Sequence, residues 1–247
     1  MHIPKTYGWV PDFPDHRDFL YQSIRRKKIS LPKEVDLRIN CSTVENQGAL
    51  GSCTANALAG NLEFLDVKQD PPYTDVSRLF IYYNERVLIH TANQDSGAML
   101  RDGIKTLKKQ GVCSEKSWPY VIDQFPKKPA NNCYAEAKSH RISSYHRILS
   151  HAERISCLAE GFPFVFGFTV YESFESQAVA RPGVGPMSTE KERVMGGHAV
   201  LAVGYNEKSK RFLVRNSWGA EWGIGGYFTI SYAYLDTLAD DFWTIRK

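Results

Sequence analysis

Apolar residues along the chain follow two different rhythms. From Ser52 to Val67, Ala55, Leu58, Leu62 and Leu65 recur at intervals of three and four, which predicts a helix with one buried stripe. Ser77 to Ile89 reads the same way through Leu79, Phe80, Tyr83 and Val87. Ala98 to Gln110 predicts a third helix, with Leu100, Ile104 and Leu107 inward and Gly111 placed to end it. Past Pro119 and the loop from Pro126 to Asn132 the period shortens. Phe162, Phe164, Phe166, Phe168 and Val170 alternate, which is strand periodicity, and His198 to Tyr205, Arg211 to Arg215 and Tyr227 to Tyr232 follow as further strands. The polar tip Asn206-Glu207-Lys208-Ser209-Lys210 marks a hairpin between the first two of these. A helical part followed by a β part predicts an α+β protein with its site in the cleft between them.

The segment ahead of the first helix has a different character. Tyr7 to Asp15 is rich in prolines and turn formers, so residues 1–30 read as an arm laid over the main body, followed by a helical lobe at 31–137 and a β lobe at 138–247. Asp12, Asp15, His16 and Asp18 lack the regular spacing of metal ligands and read as a turn.

Composition narrows the function classes. With 43% hydrophobic and 23% charged residues the chain is expected to be a soluble globular protein. Lys plus Arg exceed Asp plus Glu by 31 to 27, and the whole surplus sits in Arg25-Arg26-Lys27-Lys28, so no basic face for nucleic acid is expected. The longest apolar stretch, Phe162 to Val170, is strand-sized, and no membrane span is predicted. Met1 to Lys5 lacks the apolar core of a secretory signal, which leaves the compartment open between synthesis in place and export after loss of a leader. Five cysteines without a Cys-x-x-Cys pair argue against a zinc ribbon, and no bridge can be assigned among Cys41, Cys113, Cys133 and Cys157. The histidines other than His198 show no metal-ligand spacing, and there is no phosphate loop, zinc-protease helix or nucleophilic-serine elbow. Neither metal nor cofactor is expected.

One cysteine stands apart. Cys53 begins the first predicted helix, directly after the loop Asn46-Gln47-Gly48-Ala49-Leu50-Gly51-Ser52. The partial positive charge at a helix N-terminus favours thiolate, and glycines there let a substrate backbone approach. Far downstream, Gly196-Gly197-His198-Ala199 sets a histidine at the head of an apolar strand, and Arg215-Asn216-Ser217-Trp218-Gly219 sets an asparagine at the end of the next. A nucleophile, a base and a group orienting that base are the parts of covalent acyl transfer.

These residues together resemble the papain-like cysteine peptidases. His198 and Asn216 follow Cys53 by 145 and 163 residues, and Asn216 to Gly219, continuing through Trp222-Gly223 to Gly226-Tyr227, is similar to the family's asparagine motif. Gln47, six residues before Cys53, matches its oxyanion-hole glutamine. The resemblance covers Leu31 to the C-terminus and implies a two-lobed fold with a helical left lobe and an antiparallel, barrel-like β right lobe. It implies an endopeptidase in which Cys53 attacks, His198 moves the proton, Asn216 orients the ring and Gln47 with the Cys53 N–H binds the oxyanion. Gly51, Ser52, Ser96, Gly97, Gly197, Ala199 and Trp218 are its implied substrate contacts, with Trp218 covering the His–Asn pair. The floor of the main specificity pocket is expected within Tyr234 to Ala239: apolar if Leu235 or Leu238 forms it, acidic if Asp236 does.

Leu50 and Thr54 depart from the family pattern, which has Cys and an aromatic there, and the arm is shorter than a cathepsin propeptide. Both traits imply a divergent, bacterial-type branch made as a zymogen. Peptides and proteins are the expected partners, and the chain is expected to be a monomer. Residues 1–30 are expected to restrain activity, with Trp9, Phe13 and Phe19 filling subsites. The same site would also serve an acyl transferase or deamidase, and a non-catalytic peptide-binding relative is a further alternative.

Overall fold

The computed structural model describes residues 6–25, 31–69, 72–189 and 191–247; the segments Met1 to Lys5 and Arg26 to Lys28 singled out above lie outside them. Seven α-helices are present among the described residues: α1 Cys53–Gln69, α2 Arg78–Leu88, α3 Leu100–Lys109, α4 Asn131–Ala137, α5 His151–Ala159, α6 Gln177–Ala180 and α7 Tyr232–Leu238. Strands β1 Glu34–Asp36, β2 Ser144–Arg147, β3 Phe164–Tyr171, β4 Val194–Asn206, β5 Arg211–Arg215, β6 Tyr227–Ser231 and β7 Ala239–Arg246 form one antiparallel sheet ordered β2-β7-β3-β4-β5-β6. β1 lies in the part of the chain expected to be helical and pairs with the far end of β4. The terminal strands β2 and β6 do not pair, so the sheet of the expected α+β fold is open.

α1 differs from its expected single stripe. Beyond Leu58, Leu62 and Leu65, its polar residues Asn56, Asn61, Glu63 and Asp66 are buried as well. The helix is the shared spine of both lobes, packed between α2 and α3 on one side and β4 on the other. Small residues permit that. Gly60 lets the buried Arg215 side chain pass across the helix to the carbonyls of Ser42 (2.7 Å) and Thr43 (2.6 Å), which anchors the end of β5. In α2, Leu79 and Phe80 are buried as expected, but Val87 is exposed. Arg86 takes the inward place in that turn, donating to the carbonyls of Ala92, Gln94 and Phe125.

The alternation along β3 is real, yet neither face of its central part meets water. Phe164, Phe166, Phe168 and Val170 enter the β-lobe core with Phe174, Phe212 and Phe228, while Val165 faces the core around α1. Among the described residues no helix is long and apolar enough to cross a membrane.

Candidate active site

The site forms where α1 starts and β4 passes it. Cys53 is the first residue of α1 and is fully buried. Backbone amides of Ala199, on β4, of Gly8, from the arm, and of Thr54 lie about its sulfur and favour the charged form. Burial outweighs all three, with the Glu85 carboxyl adding to it, and the thiol is pushed up to about 11. The Cys53 thiol is thereby held protonated. Glu85 is reached through the residue that departs from the family pattern: Thr54 donates its hydroxyl to the Glu85 carboxyl at 2.6 Å.

His198 sits on β4 opposite Phe168 of β3, and Asn216 follows the last residue of β5. The hairpin register brings the two together, and the Asn216 Oδ1 accepts from His198 Nε2 at 2.8 Å. An amide oxygen only accepts, so Nε2 carries the hydrogen and Nδ1 is the basic atom of the neutral ring. Trp218 stacks on the imidazole with ring centroids 4.8 Å apart and planes 19° from parallel, and Trp222 meets Trp218 edge-on. Gln47 is fixed by Ser217, whose hydroxyl donates to Oε1 at 2.6 Å, leaving Nε2 to donate to Leu50 O at 2.9 Å and to Thr6 O at 3.1 Å.

The other residues expected to touch substrate fall into two groups. Gly51, Gly97 and Gly197 line the groove and touch the arm: a Cβ on Gly97 would lie 2.2 Å from the Gly8 carbonyl oxygen, and one on Gly197 2.5 Å from the Trp9 carbonyl oxygen. Ala199 contributes its amide to the sulfur. Ser52 is buried, its hydroxyl 2.5 Å from the Tyr120 hydroxyl, and so faces away from the groove. Ser96 bonds within its own loop, to Thr91 and to the Gly97 carbonyl.

The arm occupies the groove itself. Gly8 O accepts from Ala98 N at 2.8 Å, Val10 N donates to Ala98 O at 3.0 Å, and Trp9 N donates to Gly197 O at 2.9 Å. Trp9 is 9% exposed, whereas Phe13 and Phe19, expected to fill subsites beside it, are 72% and 62% exposed. The inward anchors in this stretch are acidic side chains instead. Asp12 accepts from the Trp243 indole at 2.9 Å, and Asp18 takes Arg101 at 2.7 Å and Arg147 at 3.1 Å. The expected pocket floor also lies elsewhere. Asp236 is bound to Arg154 and Leu235 is in the β-lobe core, while the slot holding Trp9 ends on Asp241 of β7. Sequence patterns missed Asp241 and Gly167, and placed no function on Tyr7 and Gly8, although a glycine between two aromatics was a visible irregularity.

The five cysteines carry no disulfide bond. Among the described residues no cluster of His, Cys, Asp and Glu is suited to holding a metal ion.

Fold and groove define a two-lobed protein with a buried cysteine where α1 starts beside β4. The model of the papain family cysteine proteases matches residues 31–237. Xylellain, a cysteine protease from Xylella fastidiosa, is 43% identical and superposes with a TM-score of 0.92 over 98% of this chain and 96% of that one. A peptidase C1-like protein of Acanthamoeba polyphaga mimivirus is 42% identical across 99% of this chain and 88% of its own. Mouse pro-cathepsin H is 29% identical over 76% of this chain, which spans 56% of that relative's length. The chain belongs to the papain family of cysteine proteases.

A pH dependence follows from the buried thiol. The closed form holds its proton to about pH 11, whereas an exposed thiol releases it near 8.5. The folded-state value is raised, so closure contributes its full stability below about 8.5 and loses it as pH rises toward 11. Alkylation of Cys53 by iodoacetamide, followed by intact mass, should therefore accelerate continuously up to about pH 11 in the wild-type chain. A plateau near neutrality would contradict the buried, protonated thiol.

Proposed function

We propose that the protein is an endopeptidase with Cys53, His198, Asn216 and Gln47 as its catalytic residues, kept inactive by its own N-terminal arm. One observation carries the reading: a stretch of peptide, Thr6 to Val10, already lies in the groove with its backbone bonded to both walls. Thr6 offers its carbonyl oxygen to the Gln47 amide, where an oxyanion would be received, and Gly8 turns an N–H toward the sulfur. The nucleophile thus meets a donor instead of a carbonyl carbon, and the arm blocks the site as a bound peptide that is not cut. Tyr7 seals the position, its ring edge-on to His198 at 5.9 Å and its hydroxyl donating to Glu175.

With the arm displaced, thiolate adds to the scissile carbonyl and the oxyanion forms against Gln47 Nε2 and the Cys53 amide. Imidazolium then gives its proton to the leaving amine, and water, deprotonated by the neutral ring, hydrolyses the thioester and regenerates the thiol. Asn216 holds the ring throughout.

The test is incubation of the full-length Gly8→Val variant, in which a Cβ 1.7 Å from the Gly51 carbonyl oxygen keeps the arm out of the groove, with a peptide library, resolved by mass spectrometry. Backbone cleavage with uptake of one water per cut supports the reading. Products joined to an added amine, or side-chain amides converted to acids without backbone cuts, would favour acyl transfer or deamidation and overturn it.

A further inference from the structure

The side-chain slot that holds Trp9 is built for more than bulk. Its entrance is cut by Gly167 of β3, where a Cβ would lie 1.9 Å from the indole Cε2 and 2.2 Å from Nε1. Across the sheet Gly167 pairs with Asp240, so the next residue of β7, Asp241, comes to the bottom of the slot. Asp241 Oδ2 accepts from the Trp9 indole N–H at 3.2 Å and from the Asp12 backbone N–H at 2.7 Å, and Oδ1 accepts from Arg147 at 3.0 Å. Both donors to Oδ2 belong to the arm. When the arm leaves, a carboxylate oxygen in a slot that accepts a flat ring loses its two partners, and a substrate that displaces water from the slot has to replace one to avoid burying the oxygen unpaired.

Charge around the slot decides which donor fits. The arm takes Asp12, Asp15 and Asp18 with it. What remains is Arg101 from α3 and Arg147 from β2 against Asp240 and Asp241 from β7, two cations facing two anions. A cationic side chain entering there meets both guanidinium groups, whereas a neutral N–H donor meets only the free oxygen. We propose that Gly167 and Asp241 are specificity-determining residues that make this subsite selective for a substrate tryptophan, recognised by its ring and by its indole N–H. The proposal rests on the reading of the groove as a peptide-cleaving site. Burial beside Asp12 raises the Asp241 carboxyl to about 7 in the closed chain, in keeping with an acceptor relieved when the second acid departs.

The experiment uses full-length variants. Trp9→Gly empties the slot, and a positional-scanning peptide library should then show one position at which Trp exceeds Phe by about tenfold, the worth of one hydrogen bond to a charged group. Adding Asp241→Val should bring that ratio to about one. Phe equal to Trp at every position, or Arg above Trp, would overturn the proposal. A second readout needs no cleavage. Labelling of Cys53 by a vinyl sulfone should run about tenfold faster in Trp9→Phe than in wild type, and that difference should vanish on an Asp241→Val background; equal rates in the first pair overturn the proposal. If Asp241→Val does not fold, Gly167→Ala carries the same test, because its methyl would expel the indole: Trp preference must be lost in favour of smaller side chains. Should no peptide be cut while labelling follows the expected pattern, the peptidase reading fails and the tryptophan slot stands.

Discussion

Cys53→Ala should lower peptide hydrolysis by about 10⁵-fold or more, since removing the nucleophile of a concerted set costs about as much as removing the set. The fold should survive. Cys53 is buried and makes no disulfide, so the loss is one sulfur's packing plus the bonds from the Ala199 and Gly8 amides, roughly 1 kcal/mol. The check is kcat/KM in a chain whose arm has been opened, compared with Tm. A fall in kcat/KM of less than about tenfold with Tm unchanged would remove Cys53 from the chemistry and with it the proposed mechanism.

Gly8→Val should have the largest effect in the opposite direction. A Cβ at Gly8 would lie 1.7 Å from the Gly51 carbonyl oxygen and 2.4 Å from its carbon. Both are backbone atoms of the loop that leads into α1, so no side chain can swing aside to make room. The arm must leave the groove. It gives up the bonds to Ala98 and Gly197 and the buried indole, together a few kcal/mol, of which each 1.4 kcal/mol is a factor of ten. Peptide turnover by the full-length variant should rise about 100-fold or more, with vinyl-sulfone labelling of Cys53 rising in parallel. Unchanged kinetics in a folded Gly8→Val protein would mean that the arm does not restrain the enzyme.

How much of this was legible beforehand depends on the range of the forces involved. The helices around Leu58, Phe80 and Ile104 and the strand of alternating phenylalanines were readable because burial imposes its period locally. The approach of His198 to Asn216 was readable because a short hairpin sets both register and side. What the pattern could not show were groups whose position depends on a distant partner. β1 is three residues long and exists because β4 offers it an edge. Helix α1 looked one-sided because a single stripe is all that periodicity reports, whereas its alanines, Gly60 and buried asparagines respond to a second lobe. Asp241 read as one acid in a run of acids until the arm brought Trp9 and Asp12 to it from some 230 positions away. Phe13 and Trp9 are both aromatics beside a proline or glycine, and only the wall that each meets distinguishes them.

The arm proposed as a restraint and the enzyme it covers are one covalent chain, and that tether has a kinetic meaning. A blocker that shares a chain with its target presents itself at an effective concentration of the order of millimolar, whatever the amount of protein in solution. Dilution therefore cannot open the groove. Severing a single bond in the connection replaces that local concentration with the bulk one, so at micromolar enzyme the same contacts would hold about a thousandfold less firmly. A modest set of bonds thus serves both as a secure closure and as one that a single cut dissolves.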